Sequence, residues 1–442
     1  MDKMTFRFSF GLLIFFLMFV PNLSVQAQTY IYEDPFLQAE NSIVRNYKDG
    51  VDITYTLGWQ KVCFNYVDRN TNLVSSVDVY GQFVVFDFRI LNDTVFFCGE
   101  HFNRGVFGYF DINDVFFSSG SIKYVLFNYA SGQSFGVVSS LFRIAVTQTV
   151  VGETHMVMTG LRYADINNTK VFSHVGAIVD AWIGAAGSIS YSYILDENDK
   201  YRFDDVTITN NYAVVTAFGI DESTHNILYY PKPTISGGNF FGISTGTVYT
   251  PMWTADQSVF TVHIFAAIRI APLKKDGFAT SCLSSDSTIV VSEYSTPTQQ
   301  AIRRFYIPNY DICKEMVYNS RQDALYILPE LKNYLYRTVA PYTITTKVTS
   351  KIVERWLSID NADNNKHEIL TGYDHPDPMK KIWQFDFLDY NRCVGKDDYK
   401  NVDMQIVETN SMLEQEVKRP EVEYSVYTPE SEKSQIDIIC AP

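Results

Sequence analysis

A pattern of strands and turns recurs along this chain at intervals of roughly 50 to 60 residues. The turns at Asn92-Asp93 and Asn210-Asn211 are 210 − 92 = 118 residues apart, which is two units of 59 residues. Between them, Phe88-Arg89-Ile90 recurs as Phe142-Arg143-Ile144 after 142 − 88 = 54 residues. Asn and Asp tolerate turn geometry, whereas the β-branched and aromatic residues that follow them fit a pleated surface. A repeat of this length indicates a stacked or circular array of one small β unit.

The composition also favours strands over helices. Aromatic residues make up 15% of the chain, with 30 Tyr and 32 Phe, and aromatic side chains are enriched in strands. The net charge is −14, which repels the phosphate backbone of nucleic acids. The sequence therefore predicts an all-β protein with no nucleic-acid partner.

Seven units of this kind can be placed along the chain, at residues 51–81, 82–136, 137–196, 197–254, 255–302, 303–349 and 350–401. Turn signals such as Asn103-Arg104-Gly105 separate their strands. Each small sheet leaves one apolar face uncovered until a neighbour packs on it, which suggests a radial arrangement of sheets.

In its period and its order of strands and turns, the chain resembles the β-propeller superfamily. The resemblance covers about residues 51–401 and implies a six- or seven-bladed β-propeller of four-stranded antiparallel blades. The chain has no WD dipeptide signature, no kelch Gly-Gly pair and no Asp-box series. The alternative is a pair of β-sandwich domains, which would also give regular short strands.

The N-terminus has the pattern of a signal peptide. Lys3 and Arg7 precede the apolar run Phe8 to Val20, and Val25-Gln26-Ala27 offers small residues for cleavage. We therefore expect residues 1–27 to be removed from a secreted, bacterial-type protein that resides in the periplasm, at the cell surface or outside the cell. No later segment has transmembrane length, so the mature chain is predicted to have no transmembrane segment.

The two ends of the mature chain are ambiguous. Residues 28–50 form an extended lead-in that could be a closing strand or a tether. Residues 402–442 form an acidic C-terminal segment that could be a solvated extension, since like charges repel. The resemblance implies that a propeller closes by pairing strands from its two termini, here between the Val51 region and the tail.

Two loops contain candidate site residues. Asp374, His375 and Asp377 cluster in a Pro-containing loop, where they could hold a metal or transfer a proton. Asn361, Asp363 and Asn365 alternate as Ca²⁺ ligands do, but Gly372 stands where a calcium loop needs a bidentate Glu. Asn, Asp and Pro also form ordinary turns, so both loops have a purely structural interpretation. Apart from this Ca²⁺ candidate, no cofactor is predicted.

We find no recognisable catalytic motif, and a monomeric, non-catalytic binding module is the favoured function. Its site would lie on a propeller face and take a glycan or protein ligand. The alternative is a glycan-active envelope enzyme, a hydrolase or lyase with carboxylates in the central funnel. Such an enzyme should gather two or more carboxylates and a His from different units within about 6 to 10 Å.

Overall fold

The structure is a computed structural model that describes residues 29–408. The described range excludes residues 35–42, 49, 58–61, 69–70, 72, 166–171, 185–186, 197–200, 220–224, 242–253, 257–268, 284–287, 296–299, 309–312, 322, 330–333, 340–343, 351–354, 363–366, 375–379 and 389–401.

The described strands form seven antiparallel sheets. The first described strand is β1 (Thr29–Asp34), and the first sheet contains β2 (Ile43–Lys48), β3 (Val51–Leu57), β4 (Val62–Asp68) and β5 (Leu73–Asp78). The second sheet contains β6 (Val84–Leu91), β7 (Thr94–Glu100), β8 (Gly105–Asp111) and β9 (Lys123–Leu126). The third sheet contains β10 (Ser140–Gln148), β11 (Thr154–Asp165), β12 (Phe172–Ile183) and β13 (Ile189–Leu195). A short helix α1 (Ile112–Phe117), capped by the Asp111 carboxylate, joins β8 to β9.

The later sheets follow the same order. The fourth sheet contains β14 (Tyr201–Ile208), β15 (Tyr212–Gly219), β16 (His225–Pro231) and β17 (Thr254–Asp256), and the fifth contains β18 (Arg269–Leu273), β19 (Gly277–Leu283), β20 (Thr288–Ser295) and β21 (Gln300–Pro308). The sixth sheet contains β22 (Cys313–Asn319), β23 (Ala324–Pro329), β24 (Tyr334–Val339), β25 (Ile344–Ser350) and the late strand β29 (Val402–Glu408). The seventh sheet contains β26 (Arg355–Ala362), β27 (His367–Asp374) and β28 (Lys380–Leu388) together with β1. A 3-10 turn at Lys274–Asp276 joins β18 to β19.

The first strands of the seven sheets form a closed ring. Each of β2, β6, β10, β14, β18, β22 and β26 contacts the next, and β26 contacts β2. Seven sheets arranged around one axis, each with its first strand innermost, make a seven-bladed β-propeller. The predicted all-β propeller is therefore confirmed, and the alternative of two β-sandwiches is wrong.

The ring closes through the N-terminal lead-in. Strand β1 pairs with β28, with Thr29 opposite Gln384, and so supplies the outer strand of the seventh blade. The acidic tail behaves differently, because β29 pairs with β25, with Ile344 opposite Glu408, and adds a fifth strand to the sixth sheet. The described part of the tail therefore does not pair with β3, which lies between β2 and β4; the rest of the tail lies outside the described residues.

Aromatic side chains fill the space between blades. Between the first two blades, the Phe64 ring lies 5.0 to 5.9 Å from the rings of Tyr55, Phe88, Phe97 and Phe110. These rings are buried, and tilted or edge-to-face pairs at such distances are favourable. The abundance of Phe and Tyr noted in the sequence is therefore explained by the blade interfaces.

Cys63, Cys98 and Cys313 lie in the same interior as free, buried thiols. Burial raises the pKa of Cys313 to about 11, which keeps that thiol protonated and unreactive. Within the described part of the chain, no helix has the length and apolar character needed to cross a membrane.

Candidate functional site

Only one residue of each predicted loop site lies among the residues that the structure describes. Asp374 is the last residue of β27, opposite Lys381, while His375 and Asp377 lie outside the described residues. Asn361 lies in β26 and donates its side-chain amide to the Tyr318 carbonyl at 2.9 Å, so it joins the seventh blade to the sixth.

The remaining calcium candidates, Asp363 and Asn365, also fall outside the described residues. Among those described, no group of three or more His, Cys, Asp or Glu side chains is placed to hold a metal ion. The calcium site stays a prediction.

A ring of alternating charge surrounds the propeller axis instead. The inner strands of six consecutive blades place one charged residue each at an equivalent position: Arg45, Asp87, Arg143, Asp205, Arg269 and Glu315.

Hydrogen bonds from blade to blade establish this equivalence. The Asp87 carboxylate accepts from the Ile144 N–H at 3.3 Å, and the Asp205 carboxylate accepts from the Ile270 N–H at 3.2 Å. Each donor directly follows the arginine of the next blade, so each carboxylate fixes the position of its neighbour. In the seventh blade, Asp360 performs this role and accepts from the Asn46 N–H at 2.8 Å.

Arg45 is the centre of the ion pairs. Its Nη2 lies 3.1 Å from Oδ1 of Asp87 and 2.7 Å from Oε1 of Glu315, so it links the first blade to the second and the sixth. Arg89 reaches Asp87 at 3.3 Å. The side chains of Arg45 and Asp87 are 4% and 0% exposed, and buried charges of this kind need both partners.

The acids of the ring differ in their pKa values. Burial opposes ionisation of Asp87 and Glu315, but the adjacent guanidinium groups of Arg89 and Arg45 hold the pKa of both below its usual range. At Asp360 burial prevails over the attraction of Arg45 and raises the pKa to about 6.

We expect Asp360→Asn to change the pH dependence of stability in one direction. The pKa of Asp360 is about 6 in the folded chain and the ordinary Asp value of 3.8 in the unfolded chain, so between these pH values only the folded chain keeps the proton. The stability that this proton contributes is therefore fully present below pH 3.8 and is lost as pH rises through about 6. Asn can still accept the Asn46 N–H. Urea unfolding at several pH values should show the variant gaining stability relative to wild type between these limits; a constant difference would contradict the assignment.

A second charged cluster, in the third blade, has a structural role. His155 Nδ1 lies 3.0 Å from Asp180 Oδ1, and Asp180 Oδ2 accepts the Phe240 N–H of the fourth blade at 2.8 Å. His155 is buried and stacks on Trp182. The pair anchors a connection of the next blade and lies away from solvent, so it does not form an open catalytic site.

The accessible site is a pocket on one face of the first two blades, which we call the aromatic pocket. It is a cavity of about 580 Å³ whose lining is mostly apolar and aromatic: Leu57, Val62, Tyr80, Gly81, Phe83, Val84, Phe86, Glu100, His101 and Phe102. These residues come from the end of β3, the start of β4, the β5–β6 connection, the start of β6, the end of β7 and the β7–β8 turn. Successive antiparallel strands alternate in direction, so these connections share one face of the propeller.

Three rings of the aromatic pocket are open to solvent. Tyr80 is 61% exposed and Phe102 is 74% exposed, and Phe86 is also exposed. The Phe86 ring contacts that of Phe142 at 5.9 Å, which continues the apolar surface toward the third blade. Concave, mostly apolar pockets with few polar groups are typical binding sites.

Phe102 is held in a strained conformation. It lies with Asn103 in the two-residue turn between β7 and β8, closed by hydrogen bonds between His101 and Arg104, and its φ is +46°. This left-handed conformation is unfavourable for a bulky residue, and such strain is characteristic of functional sites. The fold thus presents an aromatic ring at a turn position that would ordinarily hold Gly, Asn or Asp.

A solved structure with the same architecture is similar to this chain. The chain is similar to the β-propeller domain of Cps50 (Swd1) from Myceliophteria thermophila, with a TM-score of 0.50 and 9% identity over 80% of this chain and 99% of that domain. The WD40 repeats of RRP9 align with a TM-score of 0.45 and 7% identity over 80% of this chain and 100% of that one. No protein-family model matches the chain, and no curated protein matches it in sequence. At such low identity the similarity to Cps50 concerns the fold alone, and that fold is a β-propeller.

Proposed function

We propose that this protein is a non-catalytic binding module that recognises a protein partner through the aromatic pocket. The observation that carries the proposal is the strained, 74% exposed Phe102 beside a cavity of about 580 Å³. Aromatic side chains at the centre of a contact contribute a large share of binding energy. Strain that exposes such a ring serves no purpose in an isolated fold.

The chemistry of the lining favours a protein ligand over a glycan. A sugar presents hydroxyl groups that need polar partners, whereas eight of the ten lining residues are apolar, aromatic or glycine. The apolar part of a partner's side chain would bury this surface more favourably than a sugar ring bearing hydroxyl groups.

The enzyme alternative receives less support. Around the axis, Asp87 and Glu315 are buried in ion pairs with Arg45. Carboxylates held by arginines in this way remain ionised and are poorly suited to donate a proton to a leaving group. Asp360 has a raised pKa, but it is buried and accepts the Asn46 N–H.

Export to the periplasm, cell surface or medium is a separate part of the proposal. It rests on the signal-peptide pattern of residues 1–27. Mass spectrometry of the chain expressed with its own leader should find a mature N-terminus at Gln28, and retention of the leader would argue against export.

Selection from a random peptide library on the immobilised chain tests the binding function. We expect enriched peptides to bind wild type and to lose about tenfold or more in affinity for Phe102→Gly. Phe117→Ala is the matched control, since Phe117 is 50% exposed and lies on α1, outside the pocket. Peptides that bind Phe102→Gly and wild type equally, or a library with no enriched peptide, would contradict the proposal, and enriched glycan-array signals would redirect it to sugars.

A further inference from the structure

We infer that the aromatic pocket selects a cationic side chain of its partner, lysine or arginine, and that Glu100 is the residue that binds the cation. This inference rests on the proposed function and specifies the chemistry of the ligand. It is derived from the charges, hydrogen bonds and rings of the pocket.

The described lining of the pocket carries a negative charge. Among the residues that the structure describes, this lining includes one carboxylate, that of Glu100, and no lysine or arginine. The nearest arginine in sequence, Arg104, is committed elsewhere: its Nε donates to the Phe127 carbonyl at 2.5 Å, and its guanidinium lies 4.7 Å from the centre of the Tyr129 ring. In a chain of net charge −14, a cationic ligand is attracted and an anionic one repelled.

The Glu100 carboxylate is held in place by neutral donors. Oε1 accepts the Asn103 N–H at 3.2 Å, and Oε2 lies 3.5 Å from the Tyr163 hydroxyl. Burial and the nearby Glu100 charge raise the pKa of Tyr163, so its hydroxyl remains a donor. Within the described salt bridges Glu100 has no cationic partner.

Glu100 also binds the strained turn that contains Phe102. Asn103, whose N–H binds Glu100, follows Phe102 in the turn. The carboxylate therefore stabilises the turn that exposes the Phe102 ring, and ring and charge are presented together.

The exposed rings complete a site for a cation. The electron-rich faces of Tyr and Phe attract ammonium and guanidinium groups, and the exposed rings of the pocket belong to Tyr80, Phe86 and Phe102. Lysine and arginine also bring an apolar stem that can pack along the lining. A single Lys or Arg side chain can pack its stem on the apolar lining, place its cation on the rings and pair with the Glu100 carboxylate. A purely aliphatic side chain can make only the apolar contacts.

The experiment uses the enriched peptides from the library and the variant Glu100→Gln of the full chain. We expect the peptides to contain Lys or Arg, and replacement of that residue by Gln should weaken binding to wild type about tenfold. Glu100→Gln should weaken the cationic peptides about three- to tenfold and leave the Gln-substituted peptides unaffected. Asp114→Asn is the control, because it removes the same charge from α1, on a segment outside the pocket.

The outcomes separate the two proposals. Peptides that require Phe102 but lack a cation, or that bind Glu100→Gln as tightly as wild type, would overturn the cation inference and leave the binding function standing. Peptides that do not require Phe102 would overturn the binding function itself. Melting temperatures of both charge variants, compared with wild type, establish that any loss of affinity is not loss of fold.

Discussion

Replacing Asp87 by alanine should lower the free energy of unfolding by about 3–5 kcal/mol, because it removes a buried carboxylate that the buried Arg45 and the partly exposed Arg89 share. Arg45 and Arg89 both contact Asp87, at 3.1 and 3.3 Å. The substitution also removes the acceptor of the Ile144 N–H, one of the hydrogen bonds that join the second blade to the third. The effect combines the loss of a buried ion-pair partner with an unsatisfied buried amide.

Urea unfolding followed by tryptophan fluorescence measures this effect, and Asp93→Asn provides the control. Asp93 also pairs with a cation, Lys48 at 3.1 Å, but both side chains are exposed, and exposed pairs contribute little. A loss for Asp87→Ala as small as that for Asp93→Asn would show that the charged ring does not hold the blades.

Replacing Phe102 by glycine should stabilise the fold by about 1 kcal/mol and weaken recognition of the partner about tenfold or more. Glycine adopts positive φ without strain, whereas Phe102 sits at φ +46° with most of its ring in solvent. Little packing is therefore lost when the ring is removed, while the binding surface loses its most exposed aromatic group. Gain of stability with loss of function is the expected sign of strain maintained for binding.

The turn chemistry of the sequence was sufficient to predict the blades. The spacing of 118 residues between Asn92-Asp93 and Asn210-Asn211 is also the spacing of Asp87 and Asp205, 205 − 87 = 118, the equivalent acids of the second and fourth blades. A type of turn that needs Asn or Asp leaves a clear signal in a single sequence. This is why the architecture could be inferred without any family signature.

The register of the inner strand of the third blade was harder to predict from the sequence. The sequence aligns Arg143 with Arg89, but the structure places Arg143 level with Asp87, two residues earlier, because both directly follow a bulge in the inner strand. Side chains alternate along a strand with a period of two, so a slip of two residues preserves the pattern of inward and outward faces. The alternating charges of the ring were hidden for the same reason.

The sequence did not predict the aromatic pocket, because the pocket depends on a turn whose residues depart from the usual turn preferences. The sequence indicated a turn at Asn103-Arg104-Gly105, whereas the turn is Phe102-Asn103, one residue earlier. Phenylalanine is a poor residue for that position, and local propensity therefore moved the turn away from it. Functional sites are where such rules are expected to fail.

The central claim is that Phe102 is strained in order to bind a partner, and one pair of titrations tests it most directly. An enriched peptide is titrated by calorimetry into wild type and Phe102→Gly, and the melting temperature of each protein is recorded on the same samples. The account predicts a higher melting temperature for Phe102→Gly together with loss of the binding heat. A lower melting temperature with binding intact would contradict it, because Phe102 would then be a structural residue of the turn.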